Sequence, residues 1–118
     1  VRRDTGVKAS LPQEQCTGDT FRALLSEIQT TLYKQAKDFL ESHTVDVTSF
    51  DELKKAMSGD GGFAWGPWDG TVESAHAIQD KTKATIRLIA DDAAKAKGTK
   101  DLVSGKAATH WALFAQAY

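Results

Sequence analysis

One cysteine, two prolines and one methionine in 118 residues leave little room for cross-links or rigid bends. A lone Cys16 excludes an intramolecular disulfide. With no long apolar run and no signal-peptide pattern, the chain is expected to work in a reducing, cytoplasmic setting. The formal charge of −1 argues against bulk attraction to polyphosphate backbones. Internal repeats and low-complexity tracts are also missing. What remains is a 41% hydrophobic sequence long enough to bury one sizeable core. Its opening VRRDTG reads as the end of a strand entering a turn, so the chain is expected to be a piece of a longer polypeptide.

The charges are uneven. Residues 1–79 carry 8 Lys/Arg against 12 Asp/Glu, whereas residues 80–106 carry 7 against 4. Such a mild basic stretch reads first as a solvated face. An RNA-binding module using it is the alternative, with Lys81, Lys83 and Arg87 as candidate contacts and Trp65 and Trp68 as candidate stacking partners.

Periodicity predicts the elements. Phe21, Leu24, Leu25, Ile28, Leu32, Ala36, Phe39 and Leu40 recur at spacings of three and four, predicting a long amphipathic helix over 17–43 that lies across other structure. Ser49 followed by Glu52 fits a capping box for a helix over 50–57 that buries Phe50, Leu53 and Met57, and SGDGG ends it. Residues 63–68 predict a short strand that Gly66-Pro67 bends or confines to an edge. Thr71 caps a helix over 72–81 with Val72, Ala75 and Ile78 inward, and 83–90 reads as a strand with Ile86 and Leu88 on one face. Residues 91–100 read as a solvated loop. Leu102-Val103, a Ser104-Gly105 turn and the formally uncharged run from Ala107 predict a hairpin. The sum is α+β: a small, mostly antiparallel or mixed sheet with helices packed on it, preceded by a long N-terminal helix.

The sequence carries no recognisable catalytic constellation. His43, His76 and His110 have no nucleophile nearby in a known arrangement. GDGG lacks the Lys-Ser/Thr of a phosphate cradle. Asp69, Glu73 and His76 form a weak metal pattern better read as helix surface. Cys16 reads as an inert thiol in a loop before the long helix.

The residues GGF at 61–63, Trp68-Asp69-Gly70, Glu73, Ile78, TKATIR at 82–87 and the closing F-A-x-A-Y at 114–118 resemble the C-terminal domain of prolyl-tRNA synthetases of the eukaryotic and archaeal type, a type some bacteria share. The opening RRDTG and LLSEIQTTLYKQA at 24–36 resemble the stretch that leads into it from the anticodon-binding domain. The resemblance implies that residues 1–16 end that domain or a connector and that 17–118 are the C-terminal domain. It further implies a non-catalytic, structural part of an ATP-dependent ligase joining proline to its tRNA. The fragment itself would hold no cofactor; ATP and Mg would belong to the parent enzyme. Its partners would be the catalytic and anticodon-binding domains of the same chain and the proline tRNA, in a parent homodimer, with no membrane. Relatives commonly bind zinc in this domain through four cysteines. By the resemblance those positions fall here on Asp69, Ser74, Ser104 and either Asp101 or Leu102; none is Cys, and because Ser hydroxyls and a lone carboxylate cannot replace four thiolates, a metal-free version is expected. The loop at 65–75 is then expected to hold itself through an aromatic corner and the Thr71 cap. Finally, the resemblance implies that Tyr118 reaches toward the active site.

Overall fold

The computed structural model describes residues 1–59 and 61–117, so the expectation for Tyr118 lies outside the described residues. The chain divides into two compact units, Val1–Glu41 and Ser42–Tyr118.

In the first unit, helix α1 (Gly18–Ser42) realises the long periodic segment. Ahead of it, the opening residues turn tightly, with the Arg2 N–H donating to Val7 O and the Gly6 N–H to Arg2 O. Gly6 takes φ +73°, which a side chain would resist. The Arg2 guanidinium reaches Asp4, Glu27 and Thr31, and Gln35 donates to the Asp4 carbonyl, so the turn is fastened to α1. No described residue of α1 is buried, and Phe21, Leu25, Leu32, Tyr33, Phe39 and Leu40 are exposed.

The second unit alternates strands and helices: β1 (Thr44–Asp46), α2 (Phe50–Met57), β2 (Phe63–Trp68), α3 (Val72–Thr82), β3 (Ala84–Ile89) and β4 (His110–Gln116). They form one mixed sheet in the order β1-β2-β4-β3, with β1 parallel to β2 and the other pairs antiparallel. Ala64, Gly66 and Trp68 pair with Phe114, Ala112 and His110, so these residues share one face. On that face Phe114, Ala64, Ala84 and Ala112 pack with Leu53 and Met57 of α2 and Ile78 of α3. Burying a side chain the size of Phe114, Leu53 or Ile78 stabilises a fold by roughly 1.5–3 kcal/mol.

Local chemistry sets the helix starts. Ser49 Oγ accepts from the Glu52 N–H at 3.3 Å, as the capping pattern predicts. The Glu52 carboxylate reaches back to the N–H and hydroxyl of Thr48, one residue earlier than the box requires. Thr71 caps α3 by accepting from the Ser74 N–H.

Four expectations are corrected, and one strand is additional to them. The three-residue strand β1 has no counterpart in the sequence reading, because it is too short to show a period. Strand β2 is neither broken nor at an edge: Pro67 is fully buried inside the sheet. The reason lies in the ladder. Trp65 O accepts from Val47 N on the β1 side and Trp68 O accepts from Thr109 N on the β4 side, so residue 67 faces the β1 side beyond the last β1 pair, Asp46 with Trp65. No ladder donor is needed there.

In β3 the register shifts between Ile86 and Leu88. Ile86 pairs with Phe114 on the core face, whereas Leu88 pairs with Leu113 on the other and is 54% exposed, because Arg87 is the extra residue of a bulge. On α3 the inward residues are Ser74, Ile78 and Thr82; Val72 is exposed. The segment at 102–103 is a turn rather than a strand, closed by a single bridge between Lys100 and Ala107 and the Asp101 N–H to Lys106 O bond. The loop at 91–100 is open as expected except at a short 3-10 turn (Ala94–Ala96), where Ala96 is buried.

Candidate functional site

The densest polar constellation joins the end of β2 to the turn after Lys100. Trp68 ends β2 with its ring 5.5 Å from the His110 ring, centroid to centroid, and its indole N–H donates to the Thr71 carbonyl at 3.1 Å. Gly70 follows at φ +84°; a Cβ there would stand 3.0 Å from Thr109 Oγ1 and 3.1 Å from His110 Nδ1. The aromatic corner and Thr71 cap expected from sequence are therefore present, carried by Trp68. Trp65 is not part of that corner. Three residues away on a strand it faces the opposite side, where it lines a small hollow with Ala90, Asp92, Lys95 and Trp111.

Two carboxylates complete the constellation. Asp69 Oδ1 accepts from the N–H and the hydroxyl of Thr71 at 2.9 and 2.8 Å, and its Oδ2 accepts from the Ser104 hydroxyl at 2.7 Å. Asp101 is buried, at 4% exposure. Its Oδ2 accepts from the Ser74 hydroxyl at 2.7 Å and the Asp69 N–H at 3.1 Å, while its Oδ1 accepts from the N–H groups of Val103 and Ser104 at 2.9 and 2.6 Å. A buried anion is costly unless hydrogen bonds satisfy it, and these four donors do. Burial works to raise both carboxyl pKa values. The donors outweigh it and hold both below the ordinary carboxylate value, with Lys106 adding its positive charge near Asp69.

The structure thus gathers Asp69, Ser74, Asp101 and Ser104, the residues expected from the resemblance to stand in place of zinc cysteines, into one hydrogen-bonded knot. Of the two candidates for one position, Asp101 enters the knot; Leu102 packs in the core. This donor set does not fit structural zinc. It offers carboxylate and hydroxyl oxygens where thiolates or imidazoles are needed, and both carboxylates are engaged by internal donors, the two hydroxyls among them. Among the described residues, no group of three or more His, Cys, Asp or Glu side chains is placed to hold a metal ion. Sequence reasoning names the four positions without foreseeing that they bond to one another. The signal was available in the Asp and Ser side chains flanking two turns, which cap backbone N–H groups readily.

The other candidates are dispersed. Glu73 and His76 are exposed on α3, apart from the engaged Asp69 carboxylate. His110 Nδ1 lies 2.7 Å from the Thr109 hydroxyl, and His43 Nδ1 lies 3.0 Å from that of Ser42. Cys16 is exposed in the loop before α1. Lys81 Nζ sits 5.4 Å from the Phe50 ring centroid, Lys83 takes φ +61° at the end of α3, and Arg87 is exposed on the β3 bulge. Among the described residues, no helix is long and apolar enough to cross a membrane.

Comparison with known proteins gives this geometry a context. Residues 50–118 match the family described as prolyl-tRNA synthetase, C-terminal. The proline–tRNA ligase of Prosthecochloris aestuarii is 40% identical over 124 residues, covering 100% of this chain and 25% of the relative. That of a Roseiflexus species is 43% identical over 111 residues, covering 94% and 22%, and that of Christiangramia forsetii is 38% identical over 118 residues, covering 100% and 24%. The chain spans about a quarter of the length of these curated relatives. With more than half of its residues matched, and the knot lying wholly within the matched stretch, the chain belongs to the prolyl-tRNA synthetase C-terminal family.

Proposed function

We propose that this chain is the C-terminal structural part of a proline–tRNA ligase, supporting the catalytic domain from outside and contributing no group to the chemistry. The family match over residues 50–118 carries this reading. The knot supports it, because its oxygen atoms are consumed by internal hydrogen bonds and leave no free nucleophile or base. In this reading ATP, Mg and proline bind elsewhere in the parent enzyme, and the partners are the catalytic and anticodon-binding domains of the same polypeptide and the proline tRNA. The parent is a cytoplasmic homodimer. The metal-free knot does the closing work that zinc does in relatives.

The test is removal of Tyr118 from the complete ligase, with proline-dependent ATP–pyrophosphate exchange measured beside the melting temperature. The expected result is slower proline activation at unchanged melting temperature. Full activation without Tyr118 overturns the support role at the active site, and activation by residues 1–118 alone overturns the non-catalytic assignment.

A further inference from the structure

The turn at 101–106 is held to the rest of its unit in an unusual way. Its backbone bonds are largely internal: the Asp101 N–H donates to Lys106 O at 2.8 Å, and the flanking Ala108 N–H donates to Thr99 O at 3.0 Å. Its ties to β2 and α3 run through side chains. Leu102 packs in the core beside Gly66, Asp101 holds the Asp69 N–H and the Ser74 hydroxyl, and Ser104 holds the Asp69 carboxylate. We propose that this turn is a strap fastened by Asp101 and Leu102, and that the strap and the segment at 69–74 open together as one cooperative unit while the β2–β4 ladder stays closed.

The cooperativity follows from the shared acceptor. Withdrawing the Asp101 carboxylate strands donors on both sides at once: Val103 and Ser104 N–H within the strap, and Asp69 N–H and Ser74 Oγ across from it. Ser74 is buried and the other three donor bonds are part-buried, so a donor left without its acceptor carries a desolvation cost, greatest at Ser74, and opening one side alone exposes that cost on the other. Asp69 repeats the arrangement in the other direction, since its carboxylate holds the Ser104 hydroxyl and the Thr71 N–H. The ladder next door has its own support, because Ala64, Ala112 and Phe114 are buried against α2 and α3. Local units of this kind open well below the free energy of global unfolding. Opening uncovers Leu102 and the hollow over Gly66, giving this end of the sheet a second conformation. The inference rests on these contacts and not on the proposed role in a ligase.

Hydrogen-exchange mass spectrometry of the full chain and its Asp101→Asn variant tests it. Asparagine keeps the shape but turns one acceptor into a donor that confronts an N–H or a hydroxyl. Exchange in peptides covering 66–75 and 100–108 is expected to rise together, by about tenfold or more, with peptides covering 110–117 unchanged. Ser74→Ala and Ser104→Ala each remove one tie and are expected to give a smaller rise in the same two peptides. They carry the test if Asp101→Asn does not fold. A rise confined to one of the two peptides, an equal rise in the β4 peptides, or no rise in any variant overturns the proposal.

Discussion

Leu102 occupies the space that Gly66 leaves empty: a Cβ on Gly66 would stand 3.0 Å from Leu102 Cδ1 and 3.0 Å from Val47 Cγ2. Both neighbours are buried core residues, so neither can move aside freely. Gly66→Ala is therefore expected to destabilise the domain by about 1–3 kcal/mol, the usual range for overpacking a well-filled core. Urea unfolding checks this, with Gly59→Ala as the control because nothing lies within 4 Å of a Cβ at that position. Equal midpoints for the two variants would show that the Leu102 side chain yields easily.

Acid is expected to weaken the second unit, with Asp69 and Asp101 as contributors. Burial opposes ionisation of both, but their hydrogen bonds prevail and depress the folded-state pKa values. As pH falls the unfolded chain takes up protons first, so the stabilisation is fully present above the unfolded carboxyl value of about 4 and is lost as pH drops through the lower folded values. Glu52 follows the same sign, depressed chiefly by the Thr48 N–H and hydroxyl. Urea midpoints measured at pH 7 and at successively lower pH should therefore fall. Asp101→Asn should be less stable at pH 7 and lose less on acidification. A variant with the wild-type acid response would remove Asp101 from the account.

Chelation is expected to leave the fold intact. Asp69, Ser74, Asp101 and Ser104 offer carboxylates and hydroxyls that are already hydrogen-bonded, and hard oxygen donors of this kind compete poorly for zinc with the thiolate sets of structural sites. Elemental analysis after dialysis against EDTA should find no stoichiometric zinc, and thermal melts before and after should superimpose. Retained stoichiometric zinc, or a melt that shifts down after dialysis, would contradict this.

If the chain belongs to a ligase as proposed, neutralising Lys81, Lys83 and Arg87 together is expected to leave the salt dependence of tRNA binding by that ligase unchanged. If these side chains instead bind phosphates, the slope of log K against log salt shrinks by about 1 for each phosphate they release. Binding titrations across a range of salt concentrations separate the outcomes. A slope reduced by the triple variant would favour the RNA-binding alternative, with the exposed Arg87 on the β3 bulge as the first residue to substitute singly.

Helix starts are readable because their chemistry is local: Ser49 and Thr71 each accept an N–H three residues ahead. The partners of β2 are not, since they depend on where β1 stops. Pro67 read in isolation argues for an edge, and only the short β1 ladder explains its burial inside the sheet. Alternation fails at Arg87 because one inserted residue reverses every face that follows. The knot is half legible: Asp69, Ser74, Ser104 and either Asp101 or Leu102 can be named from the resemblance. That they lie together follows from reading them as one site, and their Asp and Ser side chains signal capping of nearby N–H groups, but which donor meets which acceptor across the 32 residues between Asp69 and Asp101 is set by the folded turn. Val72 shows the reverse case. Helical spacing points it inward, yet the inward place in that turn is taken by Ser74, a small polar residue recruited by Asp101.

The bulge at Arg87 also bears on how such a domain behaves beside other copies of itself. Strand β3 is the outer member of the sheet, and a flat, regular outer strand would be a template for intermolecular pairing. A displaced register and a guanidinium midway along it interrupt that template, so a visiting strand could match only a few residues on either side before its bonds fell out of step. The irregularity that defeats simple alternation in the sequence is thus also a guard against fibre-like self-association.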